Sequence, residues 1–441
     1  MKKIRPFALF LFASLSLLGQ EPAISAPDPL TLDRAIRAVL ARYPSLDAAQ
    51  AAIDASRGRV MQSDAARLPQ ISANGSYTYQ SLRPYIDFTL PGNPPTSFYE
   101  TVQNGYNATL NVHQLLTDFG RTDALVAMAR AGQISARDAL DQVRNQLGYS
   151  TIQAFYGVIL LQASEAVADE EIRALLEALR ISEKKYHGGT ATKFDLLTTQ
   201  VRLANARNRR TDTQAALEKQ EAQMRQLLGL PSDATVALAG SFATAAGLPD
   251  FAATLGEGLE NRPEMKLAHD SAHTSQLALD AADRENRPVL AAEATGGVQN
   301  GDLPALYANK GYFAGTLSVS VPLFTGKRIT GDRITAQADL RSAQARIDEL
   351  NRTITTEIAD SFSDLKAAQA RLANADTLVA QAQEALGLAK SRYANGVITN
   401  FELLDAQSAA RSAELARLQA RYDCVLARQA VARAAGVAPQ P

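Results

Sequence analysis

The stretch EALRISEKKYHGGTATKFDLLTTQ, residues 177–200, returns 207 residues later as EALGLAKSRYANGVITNFELLDAQ, residues 384–407. Ten of the 24 positions are identical, and no gap is needed. Each copy reads as the end of one helix, a glycine-containing turn and the start of the next helix. The second helix of each copy is placed from Thr192 and from Thr399. The same offset carries Leu116 to Leu323, Arg121 to Arg328, Asp141 to Asp348, Phe155 to Phe362 and Gln162 to Gln369. Nearer the start of each half the offset is 219, taking Pro44 to Pro263, Asp64 to Asp283 and Pro69 to Pro288. The first copy therefore holds twelve extra residues between about 80 and 104. That stretch is rich in Pro and Gly and reads as a longer hairpin loop.

Internal repetition sets the architecture. Each half has the order helix, strand, strand, very long helix, turn, helix. The first repeat spans 26–229, with a helix over 31–67 bent near Pro44, strands over 71–80 and 106–115, and helices over 121–186 and 192–228. The second spans 263–436, with helices over 264–287, 328–393 and 399–435 and strands over 289–299 and 312–321. A Pro/Gly/Ala-rich segment, 230–262, connects the repeats and is expected to wrap the outside at mid-height. Residues 437–441 form a short tail. Helices of some 66 residues extend about 100 Å at 1.5 Å per residue, longer than any globular domain requires. Ile347, Leu350, Ile354, Ile358 and Leu365 recur every three to four residues, a seam for coiled-coil packing.

The strands alternate. Ile71, Ala73, Gly75, Tyr77 and Tyr79 share one face; Ser72, Asn74, Ser76, Thr78 and Gln80 share the other. Tyr106, Ala108, Leu110 and Val112 oppose Asn107, Thr109, Asn111 and His113. Phe313, Leu317, Val319 and Val321 oppose Thr316, Ser318 and Ser320. A length near ten with period two suits barrel strands with lipid outside and water inside. Four such strands cannot enclose water, and open edges are not tolerated in lipid. Three chains supply twelve strands and as many helical strands, which makes a homotrimer the expected unit.

Composition narrows the function classes. The net charge of −1 gives no electrostatic case for nucleic acid. Lys2, Lys3 and Arg5 precede an apolar run from Phe7 to Leu18 and a small-residue site at Ala23-Ile24-Ser25, so residues 1–25 read as a signal peptide. Cys424 is the sole cysteine, so no internal disulfide exists; it is expected to pack inside a helix. No run in the mature chain reads as a spanning helix. His269 and His273 have metal-compatible helical spacing but no third ligand. Phosphate loops and nucleophile elbows are missing, so no cofactor, metal site or enzymatic activity is expected.

The ordered set of motifs resembles the TolC-type outer-membrane efflux family across nearly all of the mature chain. The resemblance rests on the duplicated plan and on Tyr-x-x-Gly-x-x-Thr-x-Phe-Asp/Glu-Leu-Leu at 186–197 and 393–404. It rests also on the strand exits Gln114-Leu115-Leu116 and Val321-Pro322-Leu323, each followed by Gly and Arg, and on the Pro ending each first helix. It implies a mostly helical chain with a small β-barrel portion: a trimeric twelve-stranded barrel in outer-membrane lipid, continued by a coiled-coil tunnel into the periplasm. Its function would be that of a passive exit duct for efflux or type I secretion. A periplasmic adaptor would meet the tips Gly188, Gly189, Thr190, Asn395, Gly396 and Val397, with an inner-membrane pump behind it. Glu402 and Asp405 match acidic positions at the constriction, where threefold symmetry would ring six carboxylates and raise their pKa values. Tyr393 would link to Asp195 to hold the mouth shut. Ile398 stands where a relative carries Arg, so a salt bridge is lost there. The alternatives are a structural periplasmic coiled coil without channel activity, and a pump adaptor, which would need a lipoyl-like β-domain that the sequence lacks.

Overall fold

A computed structural model of the chain describes residues 29–242, 247–301 and 306–438. The expected signal peptide, 1–25, lies outside the described residues.

In the first repeat α1 (Leu32–Arg42) and α2 (Pro44–Ala65) meet at Tyr43, whose extended backbone breaks the expected single helix. Pro44 occupies the first turn of α2, where its missing N–H costs nothing and the preceding residue is pushed out of the helical region. Strand β1 (Gln70–Tyr79) follows. The twelve-residue excess folds as a small separate hairpin of β2 (Tyr85–Phe88) and β3 (Thr96–Tyr99). Strand β4 (Asn104–Thr117) leads into α3 (Arg121–His187), and α4 (Lys193–Leu228) returns alongside it.

The connecting segment carries a helix that its composition concealed, α5 (Phe251–Asn261). Asp250 nucleates it by accepting from the Ala253 backbone N–H at 2.8 Å. The segment lies at mid-height against both repeats. Phe242 stacks on Tyr156 with centroids 5.9 Å apart, and Phe251 meets Phe362 edge-on at 5.2 Å. Beneath these contacts lie two cores, one around Val39, Phe155, Val158 and Met224, the other around Met265, Ile354 and Ile358.

The second repeat is α6 (Pro263–Asp283), β5 (Val289–Gln299), β6 (Lys310–Ser320), α7 (Arg328–Ala394) and α8 (Asn400–Ala434). Helix α6 stops four residues short of the expected 287. Pro288 disfavours helix at Arg287, and the chain turns instead, with Arg287 N–H bonding Arg284 C=O at 3.1 Å. Both long helices, α3 and α7, have 67 residues. Cys424 is buried within α8.

The four strands form one antiparallel sheet in the order β1-β4-β5-β6, leaving β1 and β6 at its edges. The register stacks the apolar positions on a single face. Ile71, Tyr77, Leu110, Phe313, Leu317 and Val319 are each more than half exposed in the lone chain. The opposite face is polar, and there Thr295 Oγ1 donates to Asn111 Oδ1 at 2.8 Å. No helix among the described residues is long and apolar enough to cross a membrane.

Where strands hand over to helices, one carboxylate serves both halves. Glu285, following α6, accepts from Arg121 at 3.2 Å and from Arg328 at 2.7 Å, the two arginines related by the repeat. The Arg328 hydrogen bond holds the Glu285 carboxyl below the ordinary glutamate range. A carboxyl shifted down stabilises the fold above its unfolded pKa, and that contribution disappears as pH falls through the folded value. Both arginines stay about half exposed, so solvent screens the cluster and its contribution to stability is modest. Glu285→Gln is expected to lower the melting temperature of the detergent-solubilised protein by a few degrees at neutral pH. The difference from wild type should shrink in high salt and in acid, as followed by circular dichroism.

Candidate functional site

The far ends of the two helical hairpins form the candidate site. Both turns are built identically. Gly189 and Gly396 have φ of 72° and 73°, a left-handed conformation that glycine adopts without a Cβ penalty. Thr190 N–H closes onto Lys185 C=O at 2.8 Å, and Val397 N–H onto Arg392 C=O at 2.9 Å. These bonds satisfy carbonyls left over at the ends of α3 and α7. Gly188, Gly189, Thr190, Asn395, Gly396 and Val397 are all exposed. Ile398 is half-buried at the base of its turn.

The next helices start with reciprocal caps. Asp195 Oδ2 accepts from Thr192 N at 3.0 Å and Thr192 Oγ1 at 2.7 Å, while Asp195 N donates back to Thr192 Oγ1 at 3.2 Å. Glu402 Oε2 accepts from Thr399 N at 2.7 Å and Thr399 Oγ1 at 2.8 Å, with the return bond at 3.3 Å. Two of the expected gate carboxylates are thus first of all helix caps. In the single chain the Glu402 carboxyl is held below its usual range, not raised. The Thr399 backbone and hydroxyl bonds do this, Arg392 adding a smaller attraction. Asp405 is exposed one turn further along α8.

The expected bond between Tyr393 and Asp195 is not made within one chain. Asp195 Oδ2 accepts from Thr192, and the Tyr393 ring lies under the Lys185 ammonium, 4.0 Å from ring centroid to nitrogen. Other residues clasp the two hairpins together. Buried Asn400 donates from Nδ2 to Thr199 Oγ1 at 3.1 Å. Arg202 donates to Leu404 C=O at 3.0 Å and stands 5.4 Å from the Phe401 ring centroid. Below the clasp Leu175, Ala178, Leu203, Ala206 and Leu404 form an apolar layer. Between the hairpins is a cleft of about 470 Å³ lined in part by Lys185, Tyr393, Asn400 and Gln407.

Lys185, Thr199, Arg202 and Asn400 were not singled out from the sequence. The signal for three of them lies in where the copies differ. Asn400 replaces Lys193, Thr199 stands opposite Ala406, and Arg202 opposite Ala409. The clasp is asymmetric: Asn400, Thr199 and Arg202 are not shared by the repeat, although Phe401 and Leu404, which Arg202 meets, are. Elsewhere, Asp270 lies between His269 and His273 in sequence on α6. Partial burial and the neighbouring Asp138 raise its carboxyl pKa, the nearby histidines opposing them more weakly. No group of three or more metal-ligating side chains occurs among the described residues.

Thr399→Val removes the hydroxyl from both halves of the α8 cap. The expected cost is about 1 kcal/mol, read as a lower denaturation midpoint. Glu402→Gln should cost less, because the amide oxygen still accepts from Thr399.

The family model described as outer membrane efflux protein matches residues 35–230 and 254–437, most of each repeat. The toluene efflux pump outer membrane protein TtgC of Pseudomonas putida is 25% identical over 399 residues, spanning 88% of this chain and 79% of the relative. The alkaline protease secretion protein AprF of Pseudomonas aeruginosa is 22% identical over 432 residues, spanning 96% and 87%. Among solved structures, the outer membrane protein VceC from Vibrio cholerae aligns with a TM-score of 0.76 at 21% identity, over 92% of this chain and 96% of that one. With two matched segments falling on the two repeats, the chain belongs to the outer membrane efflux protein family and is an outer-membrane exit channel of the kind used in efflux and type I secretion.

Proposed function

We propose that three copies of this chain close a twelve-stranded barrel in the outer membrane. Their helical hairpins continue it as a tunnel through the periplasm, through which cargo leaves passively, without chemistry at the protein. One observation carries this reading: a sheet apolar on one face and polar on the other, with both edges unpaired in the chain, runs directly into helices of 67 residues. A lipid-facing sheet with bare edges is not stable in hydrocarbon, and closure among copies removes the edges.

The exposed tips Gly188, Gly189, Thr190, Asn395, Gly396 and Val397 meet a periplasmic adaptor, which connects the duct to an inner-membrane pump. Likeness to both a solvent-efflux and a protease-secretion component fits a duct whose cargo is selected by its pump. Glu402 and Asp405, three residues apart on α8 and exposed, line the tunnel constriction as a ring of six carboxylates in the trimer. Such a ring favours cations over anions. Asp195 fixes the neighbouring turn through its cap, and Tyr393 braces the hairpins through Lys185. With Ile398 in place of a basic residue, closure rests on the clasp and on packing.

Single-channel recording in planar bilayers tests the duct. The detergent-extracted protein should run as a trimer and form cation-preferring pores, and Glu402→Ala with Asp405→Ala should abolish that preference. A water-soluble monomer without conductance would end the reading. The brace separates into ring and hydroxyl. Tyr393→Phe, which keeps the ring on Lys185, should leave closed-state conductance near wild type, whereas Tyr393→Ala should raise it severalfold. An equal rise in both variants would return the holding role to the hydroxyl.

A further inference from the structure

Resting on the trimeric reading above, we infer the register of the seam between protomers: β6 pairs with β1 of the next copy so that Leu317 stands opposite Tyr77 of the partner subunit. The offsets of the repeat supply the rule. An offset of 219 carries β1 onto β5, and 207 carries β4 onto β6. Applied to the β1–β4 ladder, they turn Gln70↔His113 into Val289↔Ser320, Ile71↔Val112 into Leu290↔Val319, and Tyr79↔Asn104 into Val298↔Gly311, all of them observed β5–β6 pairs. Every pair of the first ladder maps in this way. The pairing within a repeat is therefore conserved to the residue.

The β4–β5 ladder is the joint between one repeat and the next. In a ring of six repeats the joint from β6 to the following β1 is its counterpart. Leu110↔Gly296 becomes Leu317 opposite Tyr77 of the partner subunit. Asn111↔Thr295 becomes Ser318 opposite Ser76 of the partner subunit, and His113↔Glu293 becomes Ser320 opposite Asn74 of the partner subunit.

Hydrogen-bond direction fits without using the repeat. Gln80 N–H bonds Gln103 C=O at 2.9 Å, so even-numbered residues of β1 face β4 and odd ones face the free edge. Asn300 N–H bonds Tyr106 C=O at 3.2 Å, so even residues of β5 face β4 and odd ones face β6. Through the β5–β6 register, odd residues of β6 then face outward. Leu317 with Tyr77 of the partner subunit is accordingly an odd–odd, hydrogen-bonded pair. Pro322, which has no N–H, is even and turned toward β5, so it spoils nothing at the seam. Faces match as well: Leu317 and Tyr77 lie on the apolar side, Ser318 and Ser76 on the polar side. A slip of one residue would violate both conditions.

The exposed strand exit belongs to the same seam. Leu323 and Phe324 are 92% and 89% exposed in the lone chain. Their counterparts Leu116 and Thr117 lie within β4, where Thr117 pairs with Leu290 beyond a bulge. The inferred register continues β6 past Ser320 to set Phe324 beside Ile71 of the partner subunit.

Disulfide trapping in a Cys424→Ala background tests the register. Even–even pairs are the non-hydrogen-bonded ones, with Cα atoms about 4.5 Å apart, within the range a disulfide spans. Ser318→Cys combined with Ser76→Cys should give covalent dimers and trimers on non-reducing gels. Ser318→Cys with Asn74→Cys or with Thr78→Cys should give at least tenfold less. Preferential linkage at Asn74 or Thr78 overturns the register while leaving the trimer intact. Protein that remains trimeric but links at none of the three positions also overturns the register, and protein that is monomeric overturns the trimeric reading itself.

Discussion

Backbone N–H and C=O groups that meet hydrocarbon without a partner set the terms for this molecule. Each unmatched group costs several kcal/mol in a lipid interior, and the four-stranded sheet carries a row of them along β1 and another along β6. Side chains offer no remedy, since the outward face is apolar by composition. Neighbouring copies are the only source of enough donors and acceptors in the right geometry. From that requirement follows closure with neighbouring copies, which in the proposed trimer encloses water above the tunnel.

Below the membrane the same chain solves a different problem. Helices α3 and α7 satisfy their own backbone, so their packing is governed by side chains: alanines that permit close approach, an apolar layer near the tips, and mid-height cores covered by the connecting segment. The change of regime is concentrated at Thr117–Arg121 and Phe324–Arg328. There Phe119 and Lys327 take positive φ to swing strand into helix, and Glu285 ties the two arginines that begin the long helices. Membrane wall and periplasmic tunnel are thus joined by a few charged contacts at the water-exposed rim.

Much of this was legible in the residues. Offsets of 207 and 219 located every strand of the main sheet to within two residues and both long helices to within one, because period-two and near-3.6 patterns remain distinct over such lengths. The helix α5 escaped notice because Gly256 and Gly258 lower its intrinsic propensity, and contact with α7 overrides that preference. The gate was only partly legible. The repeat pointed to Asp195 and Glu402 as equivalent acids, but their role as helix caps was not read from it, because pattern alone could not say which groups their oxygens would engage. Asn400, Arg202 and Thr199 escaped because an alignment of the two halves draws attention to what is shared, whereas these three side chains are found in one half only.

The equal length of α3 and α7 has an evolutionary consequence. Deleting a residue from one of them would retract its tip by about 1.5 Å and rotate everything beyond by about 100°, leaving the two turns out of level and their faces misaligned. Length can drift only if both helices change together and in near-whole turns. Indels are therefore channelled into segments whose size no neighbour measures. The twelve residues by which the first half exceeds the second lie in such a segment, at the β2–β3 hairpin.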